Sequence, residues 1–226
     1  MSEPPDSAPA APRRAQQEQR QIAGPAGALQ ALIEIPAGLP AAPAHFGVVC
    51  HPHPQMGGTM DNKVVYTVAR AFQECGVPAI RFNFRGVGSS AGEYDGGAGE
   101  TQDALAAVAY GRERWPGATL WLAGFSFGGA VAIRAAHLSS CVRLVTVAPA
   151  LSRTAGPGFS WPTCPWLIVH GDADDVVDLS EVQGLAAGLP AGLAPAPVMR
   201  VLAGAGHFFH GRLPELRQTV VQFLSG

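Results

Sequence analysis

From Ala28 onward the chain alternates short, continuously apolar runs with longer stretches whose apolar residues return every three or four positions. The first kind fits strands covered on both faces, and the second fits helices that lay one stripe on a sheet. Strands are expected at 28–35, 46–50, 77–84, 119–125, 142–148, 165–170 and 197–203, and helices at 62–74, 101–115, 127–138, 178–188 and 212–224. Caps support several helix starts. Asp61 or Asn62 precedes KVVYTVARAF, and Thr101 precedes QDALAAVAY with Asp103 in its first turn. Strands alternating with helices imply a single doubly wound α/β domain around a mostly parallel sheet of about seven strands. In such sheets ligands meet the protein beyond the carboxyl ends of the strands, so the polar residues just after each strand are the ones to inspect.

Residues 1–26 do not share this pattern. They are rich in Ala, Pro, Gln and Arg with almost no large apolar side chains, so ordering them would cost entropy without compensating burial. A flexible N-terminal tail (1–26) ahead of a folded domain (27–226) is therefore expected. The 226 residues are 47% hydrophobic and 14% charged, and a chain of this size buries about 70% of its unfolded surface. With a formal charge of -2 there is no basic face for nucleic acid and no charge block for an anionic membrane. The longest apolar run, Leu120 to Ile133, is interrupted by glycines and Ser126 and falls short of the roughly 20 residues of a membrane span. Cys50, Cys75, Cys141 and Cys164 lie far apart without a C-x-x-C pair, as expected of reduced core thiols. The start, MSEPPDSAPAAPRR, lacks a basic segment followed by an apolar one, so a cytoplasmic location is expected.

Three post-strand segments carry candidate chemistry. GFSFGG (124–129) places a serine between a strand and a helix in the G-x-S-x-G pattern of a nucleophile elbow. Residues two before and two after such a serine must be small for strand and helix to pass, and Gly124 and Gly128 are. A serine that merely caps the helix would need no partners elsewhere. A nucleophilic one needs a base and an orienting acid, in chain order serine, acid, histidine. HGDADDVVD follows the strand at 165–170 with Asp172, Asp174, Asp175 and Asp178, and GAGHFFHG follows the strand at 197–203 with His207 and His210.

GFSFGG, HGDADDVV and GAGHFF in this order resemble the α/β-hydrolase superfamily over nearly all of residues 28–226. HPHPQMGGTMDNKVV further resembles a lidless bacterial subgroup of serine hydrolases and esterases, related to the dienelactone-hydrolase-like branch. Dienelactone hydrolases carry cysteine in the elbow, so Ser126 points to ordinary ester chemistry instead. The resemblance implies an α/β-hydrolase fold without a cap domain and a carboxylesterase acting on small or medium acyl esters through an acyl-enzyme, with no cofactor. It assigns Ser126 as nucleophile, His207 as base and Asp174 as acid, with Asp172 and Asp175 as alternatives to Asp174. His210, beside the final helix, is the weaker rival to His207. The same triad also serves amide, thioester or C-C cleavage, and an idle scaffold used for binding is the non-enzymatic alternative.

CHPHPQMGGTMDN (50–62) reads in isolation as a metal or phosphate motif. HPHP has neither the i, i+4 histidine spacing of a helical zinc site nor a neighbouring carboxylate pair, so no metal is expected. In a hydrolase the loop after this strand supplies one backbone donor to the oxyanion, and the residue after the nucleophile, here Phe127, supplies the other. Pro52 and Pro54 have no N-H, which leaves the amides of His53, Gln55 and Met56. Alignment with related hydrolases points to His53, with Gln55 and Met56 as alternatives. FRGVGSSAGEYDGG (84–97) lacks dinucleotide spacing and resembles the hydrolases' R-G-x-G-x-S loop, with Arg85 expected to tie it to Glu93 or Glu100. Met56, Phe125, Phe159, Trp161, Phe208 and Phe209 are the candidate apolar walls of the substrate pocket, each with core packing as the simpler fate.

Overall fold

A computed structural model describes residues 14–151, 161–189 and 195–226. Its strands are β1 (Gln16–Gly24), β2 (Gly27–Ile35), β3 (His45–Cys50), β4 (Ala79–Phe82), β5 (Thr119–Phe125), β6 (Arg143–Val147), β7 (Trp166–Gly171) and β8 (Val198–Leu202). The helices are α1 (Lys63–Glu74), α2 (Ala98–Arg114), α3 (Phe127–Leu138), α4 (Leu179–Ala187) and α5 (Leu213–Ser225). The eight strands form one sheet in the order β1-β2-β4-β3-β5-β6-β7-β8. β1, β2 and β4 pair antiparallel, and every pairing from β4 through β3 to β8 is parallel.

Alternation along each central strand sends side chains to two separate cores. Phe46, Val48, Leu120, Leu122, Leu144, Trp166 and Ile168 join residues of α2 and α3, together with Val182 of α4, on one face. Val49, Trp121, Ala123, Phe125, Val145, Leu167 and Val169 join α1 and α5 on the other. Both faces are covered, which is why these strands read as unbroken apolar runs rather than alternating ones. The described residues include no helix long and apolar enough to cross a membrane.

The expected tail is corrected at residues 16–24. Instead of hanging free they pair along their whole length with β2, from Gln16 opposite Ile35 to Gly24 opposite Gly27. Only Ile22 in β1 is buried, so the strand is held chiefly by ladder hydrogen bonds, and its polar, charged side chains guard the exposed edge of the sheet. A hydrophobicity pattern cannot signal such a strand, which raises the strand count from about seven to eight.

One buried ion pair connects this antiparallel edge to the loop that follows β3. Arg81 of β4 donates from Nε to Glu34 of β2 at 2.8 Å and from a terminal nitrogen to the Met60 carbonyl at 2.6 Å. Both side chains of the pair are almost wholly buried. Removing Glu34 leaves the buried guanidinium with only the Met60 carbonyl and the exposed Asp61 carboxylate, 3.3 Å away. Glu34→Ala is expected to lower the unfolding free energy by about 3–5 kcal/mol in urea titrations, whereas the paired replacement Glu34→Leu with Arg81→Met should recover most of that loss.

Candidate active site

β5 delivers its chain to Ser126, which has φ 54° and ψ -121°, a left-handed region that L side chains rarely occupy. Strain of this kind costs on the order of 1–3 kcal/mol, and here backbone bonds on both sides hold it. The Ser126 N-H donates to the Val147 carbonyl at 2.9 Å, and the Ser126 carbonyl accepts from Gly129 at 2.9 Å and Ala150 at 3.1 Å. The turn is so tight that a Cβ on Gly124 would lie 2.0 Å from the Gly128 carbonyl oxygen, and one on Gly128 would lie 2.3 Å from the His51 carbonyl oxygen. Small residues at the two positions are therefore a steric requirement. The second contact also shows that the end of β3 lies directly against the start of α3.

The other two post-strand segments converge on the serine. His207 Nδ1 lies 2.8 Å from Asp174 Oδ2, and His207 Nε2 lies 3.1 Å from Ser126 Oγ. The carboxylate requires the imidazole proton on Nδ1, which leaves Nε2 to accept the Ser126 hydroxyl. The second carboxylate oxygen, Oδ1, accepts from the backbone amides of Val176 and Val177, both at 2.9 Å. Burial by itself pushes the Asp174 carboxyl up, but the His207 bond and the two amides together outweigh it and hold the group below its ordinary range.

Asp172 and Asp175, the alternatives to Asp174, sit elsewhere. Asp172 accepts from the Gly204 N-H at 2.6 Å and so ties the loop after β7 to the loop after β8. The same two loops touch at Gly171, where a Cβ would lie 2.0 Å from the Ala205 carbonyl oxygen. Asp175 is exposed, as is His210. The Phe125 ring lies 4.9 Å from the His207 ring. It is fully buried, so it backs the imidazole instead of walling a pocket, a correction to its expected place.

HPHPQMGG forms a short 3-10 turn, Pro54–Met56, beside the elbow. The amides of two of its three candidate donors are engaged inside the turn: Gln55 donates to His53 Nδ1 at 3.2 Å and Met56 to the His53 carbonyl at 3.0 Å. His53 packs its ring 5.0 Å from Phe127 and 4.9 Å from Tyr94, whose hydroxyl lies 3.2 Å from His53 Nε2. As the first residue of α3, Phe127 has an N-H without an intrahelical acceptor. His51 is spent on structure: Nδ1 meets the Pro52 carbonyl at 2.6 Å, and Nε2 accepts from the Phe84 N-H at 3.0 Å. Burial holds the His51 pKa down to about 4, so the ring stays neutral.

Arg85 does tie down its loop, but neither expected partner is the one it uses. It grips buried Asp103 through Nε at 3.0 Å and a terminal nitrogen at 2.8 Å, while Glu100 instead accepts the Asp95 and Gly97 amides. Asp103 is one helical turn inside α2, so its reach back to Arg85 is a tertiary contact that spacing does not announce. Among the expected pocket walls, Met56 and Phe208 are exposed, Phe209 is buried in the core, and Trp161 stacks on Trp166 at 6.4 Å. Phe159 lies outside the described residues. Tyr94, His170 and the Val176 and Val177 amides are the participants that sequence reading missed. His170 is the histidine of HGDADD itself, and the apolar run at 165–170 marks it only as the end of a strand.

A solved α/β serine hydrolase without lid from Xanthomonas campestris is 36% identical to this chain, covers 96% of it and 97% of its own length, and superposes with a TM-score of 0.84. The chain belongs to the α/β serine hydrolase family. A serine hydrolase homologue from Coxiella burnetii is 40% identical, with 92% and 97% coverage and a TM-score of 0.81. An uncharacterized protein of Rickettsia prowazekii is 32% identical over 187 residues, 80% of this chain and 79% of the other. A family model described as serine aminopeptidase, S33, matches residues 56–162, the part of this hydrolase that holds the elbow.

Two outcomes follow from the hydrolase's geometry. Gly128→Ala should leave little folded protein, or should unfold at markedly lower urea, because the added methyl meets backbone rather than a movable side chain. The Asp174 carboxyl has a folded-state pKa below its ordinary 3.8, so its bonds stabilise the fold fully above that value and are lost as pH falls through the folded-state value. The urea-midpoint gap between wild type and Asp174→Asn should therefore narrow as the pH is taken below 3.8.

Proposed function

We propose that this protein is a carboxylic ester hydrolase that works through a serine acyl-enzyme. The observation that carries the reading is the continuous relay from Asp174 through His207 to Ser126, at 2.8 Å and 3.1 Å, on an elbow strained to φ 54°. His207 takes the Ser126 proton as Oγ attacks the carbonyl carbon, and Asp174 holds the tautomer and stabilises the imidazolium that forms. His207 then hands the proton to the leaving alcohol. Water attacks the acyl-enzyme by the same route and releases the acid. The Phe127 amide and the His53 amide, the donor to which the resemblance to related hydrolases points, are assigned to the oxyanion.

Esters are the favoured class because an alcohol leaves with modest assistance, whereas an amine leaves only after His207 has delivered a proton. The serine aminopeptidase description of the matching family model keeps amide cleavage as the second reading. Matched chromogenic ester, thioester and anilide substrates run in competition should rank the ester first by kcat/KM, and an anilide ranked first would transfer the proposal to amides. An acyl-chain-length series on the same enzyme narrows the substrate further.

Ser126→Ala should lower kcat by about 10⁴–10⁶ and abolish labelling by a fluorophosphonate probe. Unchanged ester turnover in that variant would remove the reading. The His53 amide has its own test, because His53 sits at φ -52°, an angle that proline accepts. His53→Pro deletes the N-H, and His53→Ala deletes only the ring. The proline variant should fall about 10²–10³ below the alanine variant in kcat.

A further inference from the structure

His170 is the next-to-last residue of β7, four positions before Asp174, and it is fully buried. Its Nε2 lies 2.9 Å from the Val177 carbonyl and 3.6 Å from Asp174 Oδ2, the oxygen that bonds His207. The Val177 residue is thus held twice, by its carbonyl on His170 and by its N-H on Asp174 Oδ1 at 2.9 Å. A carbonyl acceptor requires the proton on Nε2. Nδ1 then carries only a lone pair, and it is the one buried side-chain nitrogen or oxygen among the described residues with no hydrogen-bond partner. A second proton would turn that atom into a buried donor with nothing to receive it.

The groups facing His170 pull in both directions. Burial, the largest influence, disfavours a charged ring, and His207 across the site adds to it, while Asp174, Asp178 and the Val177 carbonyl favour charge; the balance lies below the ordinary histidine range. The ring therefore stays neutral in a single tautomer. An apolar residue would fill the position without an unmatched nitrogen, so packing alone does not explain a histidine there.

We propose that His170 is a positioning residue for the reaction, fixing the Val177 peptide that clamps Asp174 Oδ1 and leaving Oδ2 to His207. The inference rests on the serine-hydrolase reading above. His170 touches neither substrate nor the reacting atoms, and it acts through the carboxylate. A carboxylate free to rotate spends part of its time off the imidazole, which weakens both the tautomer lock and the stabilisation of the imidazolium.

The test compares His170→Leu, His170→Asn and His170→Gln in the full-length enzyme, beside Ser126→Ala. A glutamine amide reaches the place of Nε2 and can donate to Val177, whereas leucine and the shorter asparagine cannot. The leucine and asparagine variants should lose about 10-fold to 100-fold in kcat with KM little changed. The acid limb of their kcat/KM profile should move to lower pH, because a loosened carboxylate stabilises the imidazolium less. Glutamine should restore both readouts, whatever it does to the melting temperature. Wild-type kcat and an unmoved acid limb in a folded leucine or asparagine variant would overturn the positioning role, as would a folded glutamine variant no better than asparagine. Ser126→Ala separates the two levels: if it keeps ester turnover, both readings fall. If Ser126 is essential while the leucine and asparagine variants behave as wild type, only the role of His170 falls.

Discussion

The close crossing of β5 and α3 at Ser126 is the constraint on which the rest of the site depends. Gly124 and Gly128 let the chain reverse direction with their backbones in contact, and the same approach seats Gly128 on the carbonyls at the end of β3. A side chain at either position would push α3 off the sheet and separate the serine from the loop that faces it. The strained serine is thus a consequence of packing as much as of local conformation. The strain persists because the bonds to Val147, Gly129 and Ala150 leave the backbone no alternative.

A second close approach, at Gly171 and Ala205, does for Asp174 and His207 what the elbow does for Ser126. It brings the loops after β7 and β8 into backbone contact, and Asp172 adds a bond across the same seam to Gly204. The carboxylate beside His207 is consequently held by a structure that spends a neighbouring carboxylate on architecture. In HGDADD the aspartates are chemically equivalent; the turn alone distributes their roles.

Four histidines in or beside the site illustrate how environment assigns work. His51 satisfies two backbone groups in the core and is kept neutral by burial. His53 lends a ring nitrogen to its own turn and a face to Phe127. His170 bonds a carbonyl and leaves one nitrogen unmatched. His207 alone has a carboxylate on one nitrogen and a hydroxyl on the other. That asymmetry is what a general base requires, whereas the two histidines of HPHP spend their rings on the core, on their own turn and on Phe127.

Much of this was legible in the linear pattern, because it depends on local backbone demands. Apolar runs, most of them unbroken, located the seven strands from β2 to β8, periodicity located the five helices, with Asn62 capping α1 as expected but Gly97 rather than Thr101 opening α2, and glycines at fixed offsets marked Ser126 and the loop of His207. Those signals are short-range, since a strand covered on both faces or a turn with no room for a side chain leaves its mark within a few residues. β1 left no such mark because an edge strand can be held by backbone bonds with a single buried side chain. The choice of Asp174 over Asp172, the grip of Arg85 on Asp103, the burial of Phe125 and the place of His170 were decided by the tertiary structure. These are contacts between loops of different strands, and the bond between His207 and Ser126 itself joins residues 81 positions apart. Sheet order and register set such distances, and no local pattern encodes them.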